Sequence, residues 1–151
     1  MAEVAPKYQR VLAPRAQSEA LIPAAKGMSV RGPSGDTFIS LKIMARDAKK
    51  YAHEAQKIAQ KLQGQTLEET VQNVRNWVYE NFQYREDQEL QKIRTLAYAF
   101  HKDRRTGIDC KSYSVITSQI LLSLGIKHAF RKIKQKRSSP SQPANYESQY
   151  S

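Results

Sequence analysis

Residues 107–133 read GIDCKSYSVITSQILLSLGIKHAFRKI, and this stretch decides the fold. Its middle is apolar around most of a helical circumference, which predicts a central, buried helix that ends at Gly125. The apolar positions are Val115, Ile116, Ile120, Leu121, Leu122 and Leu124. Residues 126–133 then alternate imperfectly between apolar and polar, which predicts a strand directly after the helix. The lone cysteine, Cys110, opens the helix after a loop that contains Gly107.

Two amphipathic helices are predicted upstream of this stretch. From about Asp36, apolar residues recur at steps of three and four until Gly64, as expected of one helix with a glycine stop. They are Leu41, Met44, Ala48, Tyr51, Ala55, Ile58 and Leu62. Thr66 and Glu69 then have the spacing of a capping box, which predicts the start of a second helix. Its predicted buried stripe is Leu67, Val71, Val74, Val78 and Phe82, with Trp77 alongside.

A polar segment separates the second helix from the central one. Residues 84–109 are charged around a short apolar patch at Leu96–Phe100. This composition predicts a long connection with one helical turn, and connections of that length often carry function.

The prolines mark the edges of the folded unit. All six lie outside residues 36–137, and proline is incompatible with helix interiors and central strands. We therefore expect a domain at 36–137, an extended or flexible arm at 1–35, and a flexible Ser/Pro/Gln-rich tail at 138–151. The order of elements predicts an α+β fold in which helices pack on a partial antiparallel sheet.

Composition excludes several classes of protein. No stretch reaches the roughly 18 apolar residues of a membrane helix, and the N-terminus lacks the layout of a signal peptide, so we expect a cytoplasmic protein without membrane contact. A single cysteine excludes an intramolecular disulfide, and no Cys/His cluster has zinc-like spacing. GPSGDT at 32–37 lacks the Lys-Ser/Thr of a phosphate-binding loop. No metal or cofactor is therefore expected.

The positive charge is concentrated in one third of the chain. Of the net +11, residues 91–137 carry +10, from 12 basic and 2 acidic side chains. A basic run closes this segment, at Lys127, Arg131, Lys132, Lys134, Lys136 and Arg137. Such a run either protects a sheet edge from pairing or binds a phosphate backbone, and the edge interpretation is favoured because the sheet is expected to lack later strands.

Cys110 is placed where a thiol gains nucleophilicity. The amides and dipole of a helix N-terminus favour a thiolate, as do the neighbouring charges of Arg104, Arg105 and Lys111. Asp109 acts in the opposite direction, so the local sequence leaves the ionisation open. The alternative is that Cys110 is an unreactive, half-buried core cysteine.

The stretch at 107–133 resembles the nucleophile segment of the transglutaminase-like superfamily of papain-fold proteins. The pattern is Gly-x-x-Cys, a helix with paired leucines, and Leu-Gly-Ile leading into a strand. Upstream, VRNWVYENFQY at 74–84 resembles the family's preceding helix with its Asn/aromatic end and Tyr. IRTLAYAFHKDRRTGIDC at 93–110 also resembles versions from bacteriophages and prophages, which implies a viral origin and offers the virion as an alternative location.

The resemblance implies chemistry and site residues. Cys110 is then the thiol nucleophile of a cysteine peptidase or amidase that attacks an amide of a protein or peptide and forms a thioester. Tyr84 and Asp109 become candidate cleft residues. The implied architecture is the helical half of a papain-like domain, with a buried nucleophile helix.

The family's general base is a histidine whose strand is not reached in this sequence, and three explanations are open. In the family that His lies on a later strand, followed by an orienting Asp or Asn, whereas this sequence ends where the His strand is expected to begin. The chain is then a truncated enzyme, or a degenerate relative that keeps the helical half for binding, or one in which His128 or His101 stands in as base. His101 and His128 are also plausible as a loop residue and a strand packing residue, and His53 as solvated surface.

A non-catalytic function is the alternative to the enzyme. A basic assembly or nucleic-acid-binding protein, associated with a virion, would use the positive C-terminal third and the N-terminal arm to contact nucleic acid or neighbouring subunits. Trp77 and Tyr84 are then core aromatics rather than a substrate platform.

Overall fold

The structure is a computed structural model, and it describes residues 9–31, 37–88, 90–136 and 145–150. Short 3-10 turns at Arg15–Gln17 and Glu19–Leu21 lead into strand β1, Met28–Arg31. The elements that follow are α1 (Thr37–Lys50), a 3-10 turn (Ala52–Ala55), α2 (Gln56–Leu62), α3 (Leu67–Asn81), β2 (Gln91–Arg94), α4 (Leu96–Tyr98), a π-helical turn (Ala99–Asp103), α5 (Cys110–Ser123), β3 (Arg131–Lys136) and β4 (Asn145–Tyr150). The class is α+β, mostly helical, as predicted.

Helix α5 is the centre of the domain, as the apolar pattern predicted. It packs against α1, α2, α3, β2 and the turn Ala52–Ala55. Its inward face buries Val115, Ile116 and Ile120 completely. Leu121, Leu122 and Leu124 are only partly buried. The helix ends at Ser123, and Gly125 just beyond it has a φ of +71°, the left-handed conformation that glycine adopts without strain.

The first predicted helix is broken in the structure. One continuous helix up to Gly64 was expected, yet α1 stops at Lys50 and α2 starts at Gln56. Side chains of α5 take the carbonyls at the break: Gln119 Nε2 donates to the Tyr51 carbonyl at 2.8 Å, and Ser123 Oγ to the Ala52 carbonyl at 2.7 Å. Because these carbonyls bond to α5, the backbone leaves the α-helical path between the two helices.

Helix α3 begins as predicted, but its buried stripe differs. Thr66 Oγ1 accepts a hydrogen bond from the Glu69 amide at 3.0 Å, while the Glu69 carboxylate reaches the amide of Gln65 rather than that of Thr66. The buried apolar residues are Val74, Trp77, Val78 and Phe82. Leu67 and Val71 are 62% and 44% exposed, so their assignment to the core was wrong.

Residues 9–31 pack on the domain, which differs from the expected extended or flexible arm. β1 pairs antiparallel with β2, with Met28 opposite Arg94. Ile22 is buried, and Ser18 Oγ accepts a hydrogen bond from Trp77 Nε1 at 3.1 Å. The segment 84–109 likewise holds β2, α4 and the π-helical turn, where a long connection with one helical turn was predicted.

The C-terminal part forms a second sheet. β3 starts at Arg131 rather than at residue 126, and it pairs antiparallel with β4 from Arg131 opposite Tyr150 to Lys136 opposite Asn145. The prediction of a flexible tail therefore differs from the structure at 145–150, and the rest of that tail lies outside the described residues. Within the described ranges, no helix has both the length and the apolar character to cross a membrane.

Candidate active site

Cys110 is the first residue of α5, and its side chain is exposed. Asp109 caps the helix, with its carboxylate accepting from the Ser112 amide at 3.4 Å. Cys110 therefore lies at the amino end of the central helix, as the sequence predicted, and it is exposed.

A short parallel bridge brings the end of α3 to the nucleophile. The Ile108 amide donates to the Gln83 carbonyl at 2.8 Å, and the Arg85 amide donates to the Ile108 carbonyl at 2.9 Å. Tyr84 is thereby paired with Ile108, two residues before Cys110. Gly107 adopts a φ of +116°, and a Cβ there would lie 2.4 Å from the Arg85 Cβ, so this approach requires glycine.

Tyr84 packs against an aromatic residue of α5. Its side chain is 42% exposed, and its ring stacks on that of Tyr113 at a centroid distance of 6.1 Å. The Tyr113 hydroxyl donates to the Phe82 carbonyl at 2.7 Å and accepts from the Arg10 guanidinium at 2.9 Å. These contacts fix Tyr113, and Tyr113 in turn orients Tyr84.

The local electrostatics favour the protonated form of the Cys110 thiol. Burial raises the pKa of Cys110, and the Asp109 carboxylate raises it further, against the charge of Lys111 and the amides of the first helical turn. Burial also raises the pKa of Tyr84, and the negative charges of Cys110 and Glu86 add to this. Arg104, which was expected to favour the thiolate, donates to the Ala13 carbonyl instead.

A buried ion network supports the base of the site. Lys111 pairs with Asp109 and lies 3.6 Å from Asp87, while Arg94 contacts Asp87 at 3.1 Å and Asp103 at 2.6 Å. Arg94 also donates to Ser112 Oγ, in the first turn of α5. Burial raises the pKa of Asp109, Lys111 opposes that rise, and Asp87 adds to it. Sequence analysis missed this network, because its members come from separate segments with no shared motif.

The structure brings no histidine to Cys110. The chain has three. His101 contacts Arg15 and the carbonyls of Ile22 and Pro23. His128, which lies in a loop and not in the expected strand, contacts Ser118 Oγ at 2.6 Å. Ser118 is eight residues beyond Cys110 on α5, about 12 Å along the helix.

The third histidine, His53, is exposed and packs beside the Tyr51 ring. The candidate bases His101 and His128 are therefore held away from the thiol. Among the residues that the structure describes, no group of three His, Cys, Asp or Glu side chains has the arrangement of a metal site.

The basic run is described only in part. Lys127 and Arg131 are exposed, and Lys132 is half-buried. Lys134 and Lys136 lie on β3, whose backbone pairs with β4, and Arg137 lies outside the described residues. The basic run was expected to protect the edge of a sheet, whereas β3, the strand that carries part of it, pairs with β4 along one edge.

Two pockets flank Tyr113. An apolar groove of about 400 Å³ between α3 and α5 is lined by Val74, Val78, Tyr79, Tyr113 and Leu121. A second pocket of about 300 Å³ on the other side of Tyr113 includes Ser114, Ser118 and His128. Both pockets begin within one or two helical turns of Cys110 on α5.

The family model described as Transglutaminase-like domain matches residues 53–139. No curated protein and no solved structure matches the chain. The matched range runs from the 3-10 turn before α2 through α3, Cys110 and α5 to the end of β3 and beyond, and it covers more than half of the sequence. The chain therefore belongs to the transglutaminase-like domain family.

Proposed function

We propose that Cys110 is the nucleophile of a transglutaminase-like cysteine peptidase or acyltransferase that acts on protein or peptide amides. The observation that carries the proposal is the exposed Cys110 at the amino end of α5, on a segment whose backbone is bridged to Tyr84. The family match supports a chemistry of this type.

The proposed reaction proceeds through a thioester. A base removes the Cys110 proton as sulfur bonds to the amide carbonyl carbon, and the carbonyl oxygen takes the negative charge. The C–N bond then breaks, the amine leaves with a proton, and water or a second amine releases the acyl group. Two features suit the oxyanion: the amides of Cys110 and Lys111 at the start of α5, which already interact with the Cys110 sulfur, and the Tyr84 hydroxyl, whose raised pKa keeps it a hydrogen-bond donor.

The proposed reaction also requires a general base. Because burial and Asp109 disfavour the Cys110 thiolate, and His101 and His128 are hydrogen-bonded elsewhere, the proposed reaction requires a base other than these two histidines. In its absence the reaction depends on the small thiolate fraction, and this fraction grows as pH rises.

The test is covalent trapping. The protein is incubated with a p-nitrophenyl ester, and the acylated residue is identified by peptide mass spectrometry. We expect one acyl group on Cys110 and none after Cys110→Ala. Acylation that persists at the same rate in Cys110→Ala would contradict the proposal.

A non-catalytic binding protein is the second candidate, favoured by the protonated thiol and the distant histidines. In this alternative the basic third of the chain contacts nucleic acid or neighbouring subunits. Affinity for an oligonucleotide, measured between about 50 and 200 mM salt, should then fall steeply. Affinity that is absent at low salt, or independent of salt, removes the electrostatic form of this candidate.

A further inference from the structure

A small pocket of about 120 Å³ lies on the segment that precedes Cys110 in sequence. It is formed by the π-helical turn, the residues that follow it, and Arg15 from the N-terminal segment. Its charged lining is entirely basic: Arg15, Lys102, Arg104 and Arg105. His101 and Thr106 complete the polar lining. This pocket is separate from the basic run at 127–137.

Among the described residues, only one of the four basic side chains of this pocket has a carboxylate partner. Arg15 forms an ion pair with Glu19 at 3.4 Å, and both side chains of that pair are partly exposed. The nearest acid in sequence, Asp103, is engaged by Arg94 at 2.6 Å. Across the part of the chain that the structure describes, no carboxylate pairs with Lys102, Arg104 or Arg105. Burial lowers the pKa of Arg104, and the charges of Arg105 and Arg15 lower it further, as expected of uncompensated cations.

Arg104 is the buried centre of the cluster. It is only 3% exposed, and its terminal nitrogen donates to the Ala13 carbonyl. Among the described residues, no acceptor bonds to its buried Nε–H. A buried charged group with an unsatisfied donor is unfavourable by itself, and an anion bound beside the guanidinium would offset its charge.

The neighbouring groups are held in place. The guanidinium of Arg104 lies 5.4 Å from the centroid of the Phe100 ring, and that of Arg15 lies 5.6 Å from the same ring. His101 Nε2 contacts the Pro23 carbonyl at 3.0 Å, so this nitrogen carries the proton and Nδ1 accepts from Arg15 at 3.1 Å. Two guanidinium groups are therefore fixed on one aromatic ring beside the pocket.

We propose that this pocket binds a phosphate group. Guanidinium groups present several donors in a planar fork that fits the oxygens of a phosphate, and Lys102 and Arg105 add charge from the exposed rim. The Thr106 hydroxyl provides one further donor. The phosphate belongs either to a small free anion or to a nucleic-acid strand, because both present the same chemistry to the pocket.

The test is an NMR titration at constant ionic strength. ¹⁵N-labelled protein receives inorganic phosphate in one arm and a short single-stranded DNA oligonucleotide in the other, and the Arg104 Nε–H and the amides of 102–106 are followed. We expect a saturable shift of the Arg104 Nε–H. A shift with inorganic phosphate indicates a free anion as a sufficient ligand, and a shift with the oligonucleotide alone assigns the phosphate to a strand.

Matched variants separate the pocket from the general positive charge. Lys102→Gln/Arg105→Gln removes two exposed rim charges, and we expect about tenfold weaker binding. Lys57→Gln/Arg75→Gln removes one exposed Lys and one exposed Arg from α2 and α3 and should bind nearly as the parent protein does. No saturable shift in either arm, or equal weakening in both variants, would overturn the proposal. Neither result bears on the reactivity of Cys110.

Discussion

The rings of Tyr84 and Tyr113 stack with their centroids 6.1 Å apart and an interplanar angle of 25°. Tyr113 belongs to the helix that Cys110 opens, whereas Tyr84 follows α3 and reaches the site through its bridge to Ile108. The stacking therefore joins the two segments on which the proposed chemistry depends.

Replacing Tyr84 by Phe should separate acylation from alkylation. If the hydroxyl stabilises an oxyanion, Tyr84→Phe slows acylation of Cys110 by a p-nitrophenyl ester by about tenfold or more. Alkylation by iodoacetamide develops no oxyanion and should change little. Tyr98→Phe, at a half-buried tyrosine of α4, is the matched control. Equal slowing of both reactions would show that Tyr84 acts only through the structure.

Replacing Asp109 by Asn should activate the thiol. The Asp109 charge raises the pKa of Cys110, so its removal lowers that pKa and increases the thiolate fraction near neutral pH. Asn retains the capping function at the start of α5. We expect iodoacetamide to react about threefold to tenfold faster with Asp109→Asn at pH 7.5. Glu68→Gln removes the same charge from an exposed position on α3 and should leave the rate unchanged. An unchanged or slower rate in Asp109→Asn would contradict the assigned cause.

Asp109 should also make the free energy of unfolding depend on pH. Its pKa in the folded protein is raised above the ordinary value of 3.8, so the folded state holds this proton more tightly than the unfolded state does. The stabilising contribution of protonated Asp109 is therefore fully present below its pKa in the unfolded state. It is lost as pH rises through its higher pKa in the folded state. Urea unfolding of the parent protein and of Asp109→Asn should show the parent losing stability relative to the variant over this window. A parent stability that stays constant, or rises with pH, relative to that of Asp109→Asn would contradict the raised pKa.

Arg94 should be a major stabilising residue. Its buried guanidinium lies between Asp87 and Asp103, and Arg94→Met leaves Asp103 without its cation and Asp87 with Lys111 alone. The expected loss is about 3–5 kcal/mol in the free energy of unfolding. Lys92→Met, on the same strand but half-buried, should cost far less. Similar losses in the two variants, measured by chemical denaturation, would argue against the network.

Two glycines with positive φ allow a matched comparison. Gly125→Ala meets no atom within 4 Å, so we expect a loss of about 1 kcal/mol from backbone conformation alone. Gly107→Ala would bring its Cβ to 2.4 Å from the Arg85 Cβ and should cost distinctly more. Because the clash falls on the bridge that positions Tyr84, Gly107→Ala should also reduce the acylation rate. Equal stability losses would contradict the close approach at Gly107.

The parts of the fold that sequence predicts are those with local causes. The start of α5 at Cys110, the cap at Thr66 and the end at Gly125 each depend on residues within a few positions of one another. The break after Lys50 was not predictable in this way, because it depends on Gln119 and Ser123 of α5. The pairing of β1 with β2 was missed because each strand has only four residues and the two are far apart in sequence.

In the candidate site, too, residues with a local motif were predicted and residues without one were missed. Cys110 was identified from its motif, and Tyr84 from the resemblance. The cluster of Asp87, Arg94, Asp103 and Lys111 carries no sequence signal, since its members meet only after β2 and α5 pack together. His101 and His128 were plausible bases by residue type alone, and only their hydrogen bonds show that they are committed elsewhere.

The most direct test of Cys110 as an acyl-accepting nucleophile is a ratio of two rates. Acylation by a p-nitrophenyl ester and alkylation by iodoacetamide are each measured across pH for the protein and for N-acetylcysteine, so that differences in thiolate fraction cancel in the ratio. We predict that the ratio of acylation to alkylation is at least about tenfold higher for Cys110 than for the free thiol, because the site stabilises the oxyanion. A ratio equal to that of N-acetylcysteine would show that the protein does not stabilise the oxyanion formed during acylation of Cys110. This result would contradict the proposed function.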